Sequence, residues 1–216
     1  MIVCLIIFLF FIVYFIIVLI KNPNILSNTN GLLNTNSSSG PINVASADDP
    51  YKGGERAEIV IVEFGDFECP YCLQEFPVVR EVINTYGDKI KFIFRDFPLL
   101  GDHPEAEKAA EAGECAHEQG KFWEMHDKMF INHLDLSVPA LKNYAKQIGL
   151  DTGQFDDCLD SGQYEDEVLA DLNDGMEAGV TGTPTFFINN QGYPGAIPLE
   201  DFKTLIDHEL GRVSGS

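Results

Sequence analysis

AEIVIVEFGDFECPYCLQEFPVVREVINTY, residues Ala57 to Tyr86, contains a strand, a short turn, two closely spaced cysteines and a helix, in that order. Ile59 to Phe64 is an apolar, largely β-branched run that suits a buried strand, and Gly65 and Asp66 end it. A helix begins near Cys69, because Pro70 at the first helical position sacrifices no backbone hydrogen bond and its φ is already fixed. Two thiols three positions apart at a helix start face the same end and can close a small disulfide. The unpaired N–H groups and the positive end of the helix dipole favour a thiolate at Cys69, expected to be the more exposed of the two. Cys72, one turn further in, is expected to be shielded and suited to resolving a mixed disulfide. The spacing alone also fits half of a zinc site, but zinc ribbons supply a second closely spaced pair, and the other cysteines of this region, Cys115 and Cys158, stand far apart. The strand-to-helix placement favours redox chemistry with no cofactor and no metal.

Outward from this stretch, charge divides the chain. The first 47 residues hold one charged side chain, Lys21, whereas 13 Lys and Arg face 34 Asp and Glu thereafter, a net of about −21. Nucleic acid is excluded as a partner, since a phosphate backbone requires clustered Lys and Arg. Ile2 to Ile20 carries no charge and is long enough for a bilayer core of about 30 Å, so residues 1–21 are expected to form a membrane-spanning anchor. A cleaved signal peptide is the alternative, with Ala45-Ser46-Ala47 as the small-x-small site, although that site lies far from the apolar segment. Residues 22–50 are expected to be a flexible linker, of which Asn22 to Ala47, rich in Asn, Ser, Thr and Gly, would be a tether spanning roughly 25 to 30 Å as a coil. Cys4 falls in the anchor, and Asn36-Ser37-Ser38 is a sequon of low weight in so Asn- and Ser-rich a segment.

After the first helix, Lys89 to Arg95 alternates Ile90, Phe92 and Phe94 with charged residues and reads as a second strand, giving a right-handed βαβ unit with parallel strands. Some eighty helical residues follow. Pro104 opens one helix, Phe122 to Leu134 is a second, Ser137 caps a third, Asp151 caps a fourth, and Gln163 to Ala178 is the last. Thr185 to Ile188, an Asn189-Asn190-Gln191-Gly192 turn and Tyr193 to Ile197 form a hairpin, and Pro198 starts a closing helix.

The order EFGDFECPYC, Phe97-Pro98 to His103-Pro104, Lys121-Phe122-Trp123-Glu124 and Gly182-Thr183-Pro184-Thr185 resembles the thioredoxin superfamily and, more narrowly, its DsbA-like branch, over roughly residues 57–210. The resemblance implies an α/β thioredoxin-like fold across residues 51–213, a mixed sheet flanked by helices, with a helical insertion at about 99–179 that covers part of the active-site face. It implies a monomeric thiol-disulfide oxidoreductase. Its partners would be extracytoplasmic protein thiols and disulfides and a membrane redox partner, and its location the extracytoplasmic side of the cell membrane on a single-pass anchor. Pro70-Tyr71 departs from the histidine-containing dipeptide of strongly oxidising members, which leaves oxidase, reductase and isomerase open.

Candidate site residues follow. Tyr71 either tunes the thiolate or is a surface aromatic that meets clients. Glu63 either sits at an exposed strand edge or, as the resemblance favours, is a buried carboxyl that moves protons to and from Cys72. The resemblance implies a cis Pro184 beside the cysteines, with the Thr183 backbone free to pair with an extended client. Cys115 and Cys158 are either unpaired core cysteines or a structural disulfide, which an oxidising compartment and an even count favour. His103 is assigned to capping or packing unless it approaches the site as in the family. Glu63, Asp66 and Glu68 are expected to oppose the Cys69 thiolate. From the uncharged span, the intact protein is expected to stay in the membrane fraction through high-salt and carbonate washes; recovery of a soluble form beginning at Asp48 would instead establish cleavage after Ala47.

Overall fold

Strand β2 (Ile59–Gly65) is almost wholly buried and serves both faces of the sheet. Ile59 and Ile61 pack with Val79, Val82, Phe202 and Ile206 on one side, while Val62 and Phe64 pack with Ile93, Phe97, Val180 and Phe187 on the other. The period of two places Glu63 on the face of Ile59 and Ile61, beneath the helix that follows. In this computed structural model, residues 44–46 and 49–214 are described. The anchor, most of the tether, Cys4 and the sequon lie outside them, and among the described residues no helix is long and apolar enough to cross a membrane.

The sheet has five strands in the order β1-β3-β2-β4-β5, with β1 (Tyr51–Gly53), β3 (Ile90–Asp96), β4 (Thr185–Ile188) and β5 (Gln191–Pro194). β2 and β3 are parallel, Glu63 opposite Phe94, and helix α1 (Pro70–Tyr86) crosses between them as the βαβ pattern requires. β4 runs antiparallel to β2, with Glu63 opposite Phe186. Two elements differ from expectation. β1 adds antiparallel to β3 at the sheet edge, and its three residues, YKG, are too few and too polar to announce a strand. The hairpin turns on Asn189 and Asn190 alone, with φ of 46° and 70°, so β5 begins at Gln191; asparagine tolerates this left-handed backbone. The stretch assigned to the tether also ends differently, because Val44 is buried against Val62 and Phe187.

Helices α2 (Ala106–His117), α3 (Phe122–Ile131), α4 (Val138–Gln147), α5 (Thr152–Ser161) and α6 (Glu165–Glu177) are inserted between β3 and β4, and α7 (Leu199–Ser214) closes the fold. The α2 and α7 helices start just after Pro104 and Pro198 rather than at them. Asp151 caps α5 through the N–H groups of Gly153 and Gln154. Ser137 precedes α4 but gives its hydroxyl to Asp135 and caps nothing. Cys115 of α2 and Cys158 of α5 are bonded, with Cα atoms 6.0 Å apart. Closing so long a loop contributes on the order of 4 kcal/mol in the chain-entropy model. Buried Arg95 at the end of β3 pairs with Asp171, with Asp174 at 2.9 Å and with Asp49 at 3.4 Å, which fastens α6 to the sheet. Gly175 permits that approach, since a Cβ there would lie 2.7 Å from the Phe97 ring.

The insertion's core is continuous with the end of the sheet, and His126 sits at the junction. Its ring touches Phe67, Phe76, Phe94, Phe122, Trp123 and Phe130. Nδ1 meets Asp127 at 3.1 Å, while buried Nε2 has no partner among the described residues. Burial lowers the imidazole below its ordinary 6.5. The folded state therefore holds fewer protons here than the unfolded chain once the pH falls below about 6.5, and stability present above that pH is lost as it falls. Replacing His126 with Phe should remove up to about 1.4 kcal/mol per pH unit from this decline between about pH 7 and 5, read from urea midpoints. Parallel declines in both proteins would exonerate His126.

Candidate active site

The turn Asp66–Cys69 delivers both thiols to the start of α1. The Asp66 carbonyl accepts the Cys69 N–H at 3.1 Å, Cys69 holds the extended N-cap conformation (φ −72°, ψ 124°), and its own carbonyl takes the first helical bond, from Leu73 N–H at 3.1 Å. Both cysteines are free thiols, and the geometry below is that of the dithiol. Cys69 is only 2% exposed and Cys72 fully buried, so the difference in exposure expected between them is slight. The cover comes from Thr183, whose carbonyl accepts the Cys69 thiol at 3.4 Å. The Thr183–Pro184 peptide is cis, and both residues are buried. Tyr71, between the cysteines, is 63% exposed and stands at the mouth of the site.

The two thiols are driven apart in acidity. Cys69 is lowered from 9.0 to about 5, first by the hydrogen bond that the Cys72 thiol donates to the thiolate, against the opposing effect of burial. The Thr183 side chain and the N–H groups of Cys72 and Tyr71 add to the lowering. The buried Thr183 hydroxyl has no hydrogen-bond partner, which leaves it free to donate to the sulfur when the thiol ionises and lets go of the carbonyl. Cys72 is pushed well above 9.0 by burial, by its bond to Cys69 and by the Glu63 charge.

Glu63 is buried, at 3% exposure, which excludes the exposed-edge reading. Burial, with Glu75 and Cys69 as negative neighbours, raises it from 4.5 to about 8. Glu75 belongs to the same site and was not anticipated. It lies on the inner stripe of α1 with Cys72, Val79 and Val82, and burial raises it to about 7 despite a bond from the Ile197 N–H. Helical spacing from Cys72 was the available signal. The charges expected to oppose the thiolate are thus partly cancelled: Glu63 is largely protonated near neutrality, and Asp66 contacts His103 Nδ1 at 2.7 Å. Cys115 and Cys158 are engaged with one another in the insertion and do not join the CPYC pair as ligands. Among the described residues no three His, Cys, Asp or Glu side chains converge as a metal-binding set.

Comparison with known proteins places this geometry among relatives. A family model described as Thioredoxin matches residues 45–208. The thiol-disulfide exchange protein alpha-DsbA2 from Wolbachia pipientis is similar at 27% identity and a TM-score of 0.67, covering 76% of this chain and 88% of its own. Oxidised BdbD from Bacillus subtilis is similar at 25% identity and a TM-score of 0.68, covering 76% and 94%. A Na(+)/H(+) antiporter NhaA 1 from Salinispora arenicola is 38% identical over 152 residues, which is 70% of this chain and 23% of that protein. The chain spans about a quarter of the length of the curated relatives it matches. The Thr183→Val variant, which keeps the carbonyl and loses the hydroxyl, should raise the Cys69 titration, followed by thiolate absorbance, by on the order of one unit. An unchanged titration would remove the hydroxyl from the account.

Proposed function

The chain belongs to the thioredoxin family, in its DsbA-like branch of thiol-disulfide oxidoreductases, and on that premise we propose that it forms disulfides in extracytoplasmic client proteins. The observation that carries the direction is the placing of Cys69 as the N-cap of α1, where the Cys72 thiol and the N–H groups of Tyr71 and Cys72 face its sulfur and hold it well below its ordinary 9.0, at about 5. A stabilised thiolate favours the reduced form of the protein, and a protein that prefers to be reduced oxidises its clients.

In the oxidised protein a client thiolate attacks Cys69 Sγ, and the Cys69–Cys72 bond breaks. Cys72 leaves as a thiolate, and because burial makes that charge costly it must take up a proton at once. Glu63, on the β2 face beneath α1 and protonated near neutrality, is the donor, and Glu75 shares the load. The client's second thiolate then attacks its own sulfur in the mixed disulfide and releases Cys69 as the thiolate. Two client thiols have become a disulfide, and one protein disulfide has become a dithiol. A membrane redox partner restores the oxidised form.

The single contact with the Thr183 carbonyl and the exposed Tyr71 favour an extended client segment that lies across the Thr183–Pro184 peptide and displaces the carbonyl from Cys69. The Cys115–Cys158 bond supports an oxidising compartment, and with the Ile2 to Ile20 span it supports a redox domain held outside the cytosol by its anchor. Antiport is not carried over from relatives of which the match takes in a quarter. Two measurements test the reading. Cys72→Ser should accumulate covalent client complexes while Cys69→Ser accumulates none, and equal trapping would overturn the roles. Equilibration with glutathione should give a potential less negative than about −200 mV; a value near −270 mV would reverse the direction and leave the exchange chemistry standing.

A further inference from the structure

Asp66 gathers groups from two segments that are far apart in the chain. Its fully buried side chain accepts the Glu68 N–H on Oδ1 at 2.7 Å and the Leu99 N–H on Oδ2 at 2.9 Å, and Oδ2 meets His103 Nδ1 at 2.7 Å. Its carbonyl holds the Cys69 N–H. The Glu105 N–H donates to Glu68 Oε2 at 2.8 Å and ties the same two segments again. The turn that presents Cys69 and the loop after β3 therefore form one hydrogen-bonded unit. His103 keeps 18% of its side chain exposed, so it exchanges protons with solvent. Asp66 contacts its ring, and the charges of Cys69 and Glu68 also reach it, so its charged neighbours are all acidic. Burial works against its charge, but these neighbours, Asp66 foremost, hold it above its ordinary 6.5.

We infer that Asp66 and His103 form a positioning pair that sets an imidazolium within electrostatic reach of the Cys69 sulfur and so supports its thiolate. The inference rests on the thiol-exchange reading above and deepens it by naming a cation that the Pro70-Tyr71 dipeptide does not supply. Asp66 has two duties: its carboxylate fixes the ring through Nδ1, and its carbonyl holds the Cys69 N–H, so one residue positions both the imidazole and the cysteine. The coupling is reciprocal. A thiolate at Cys69 favours the proton on His103, and when Cys69 enters a disulfide its charge disappears and His103 releases that proton more readily.

The test uses the detergent-solubilised full chain with His103→Gln and His103→Lys. Thiolate absorbance gives the Cys69 titration, equilibration with glutathione gives the redox constant, and the wild-type His103 ring is titrated by NMR in both redox states. In His103→Gln the Cys69 titration should move to higher pH and the disulfide should become harder to reduce by about three- to tenfold. His103→Lys, which keeps a cation, should recover most of both effects, a result that a purely structural role would not give. In the wild type the ring should titrate at higher pH in the reduced protein than in the oxidised one. The inference is overturned if His103→Gln titrates as the wild type does, if His103→Lys behaves like His103→Gln, or if the ring titrates identically in both redox states. The ring titration decides the matter even where a variant does not fold. Failure of the wild type to exchange with glutathione would sink the functional reading instead, while the Cys69 and His103 titrations would still report on the pair.

Discussion

A thiolate buried as deeply as Cys69 is stable only where donated hydrogen bonds replace the water it has lost. The donors come from three places: the Cys72 thiol one turn away, the N–H groups of Tyr71 and Cys72, and the Thr183 side chain. The first two follow from a single local fact, that a helix begins at Pro70 with the cysteine as its N-cap. The third needs the whole domain. Thr183 lies 114 residues from Cys69, and its carbonyl, which accepts the neutral thiol, brings its hydroxyl alongside because β4 pairs with β2 and because α6, fastened to β3 through Arg95, returns the chain to the correct end of the sheet. Sheet order, helix packing and buried ion pairs thus converge on one sulfur atom.

The surrounding acids serve this arrangement by being only partly charged. Thirty-four Asp and Glu could easily suppress a thiolate, yet those nearest the sulfur are managed one by one. Burial protonates Glu63, and Asp66 is matched by His103. A carboxyl with an acidity constant near neutrality is also what a proton carrier requires, so the burial that silences Glu63 as a charge equips it as an acid. The same environment therefore gives Cys69 and Cys72, chemically identical side chains, opposite behaviour.

How much of this was legible in the sequence depended on distance along the chain. The apolar run of β2, the CPYC helix start and the segment around Pro184 are local patterns or carry a family resemblance, and each forms the element read from it, while Glu63 takes the buried one of the two positions left open for it. Glu75 was legible in principle, since it shares the inner stripe of α1 with Cys72 and Val79, but an acid on that stripe looks like a surface residue until the sheet covers it. The Asp66–His103 contact bridges 37 positions and the Arg95–Asp171 contact 76, and no period or motif links such pairs. Cys69 was expected to be the more exposed of the two thiols because its place on the helix is readable, whereas its contact with Thr183 is not. The strand β1 went unseen for a simpler reason, since three residues hold too little pattern, and the hairpin turn was placed correctly but read two residues too long.

The bond between Cys115 and Cys158 bears on how the protein comes into being. All four cysteines of the domain end up in one apolar cluster, two of them joined and two free. A newly made domain has three ways to pair four thiols completely, and only one of them leaves a CPYC pair able to cycle. The other two consume Cys69 and Cys72 in cross-links with the insertion and yield a catalyst that cannot turn over. Maturation is therefore itself an oxidation that has to choose correctly, and each new molecule is a customer for the chemistry before it becomes a supplier of it.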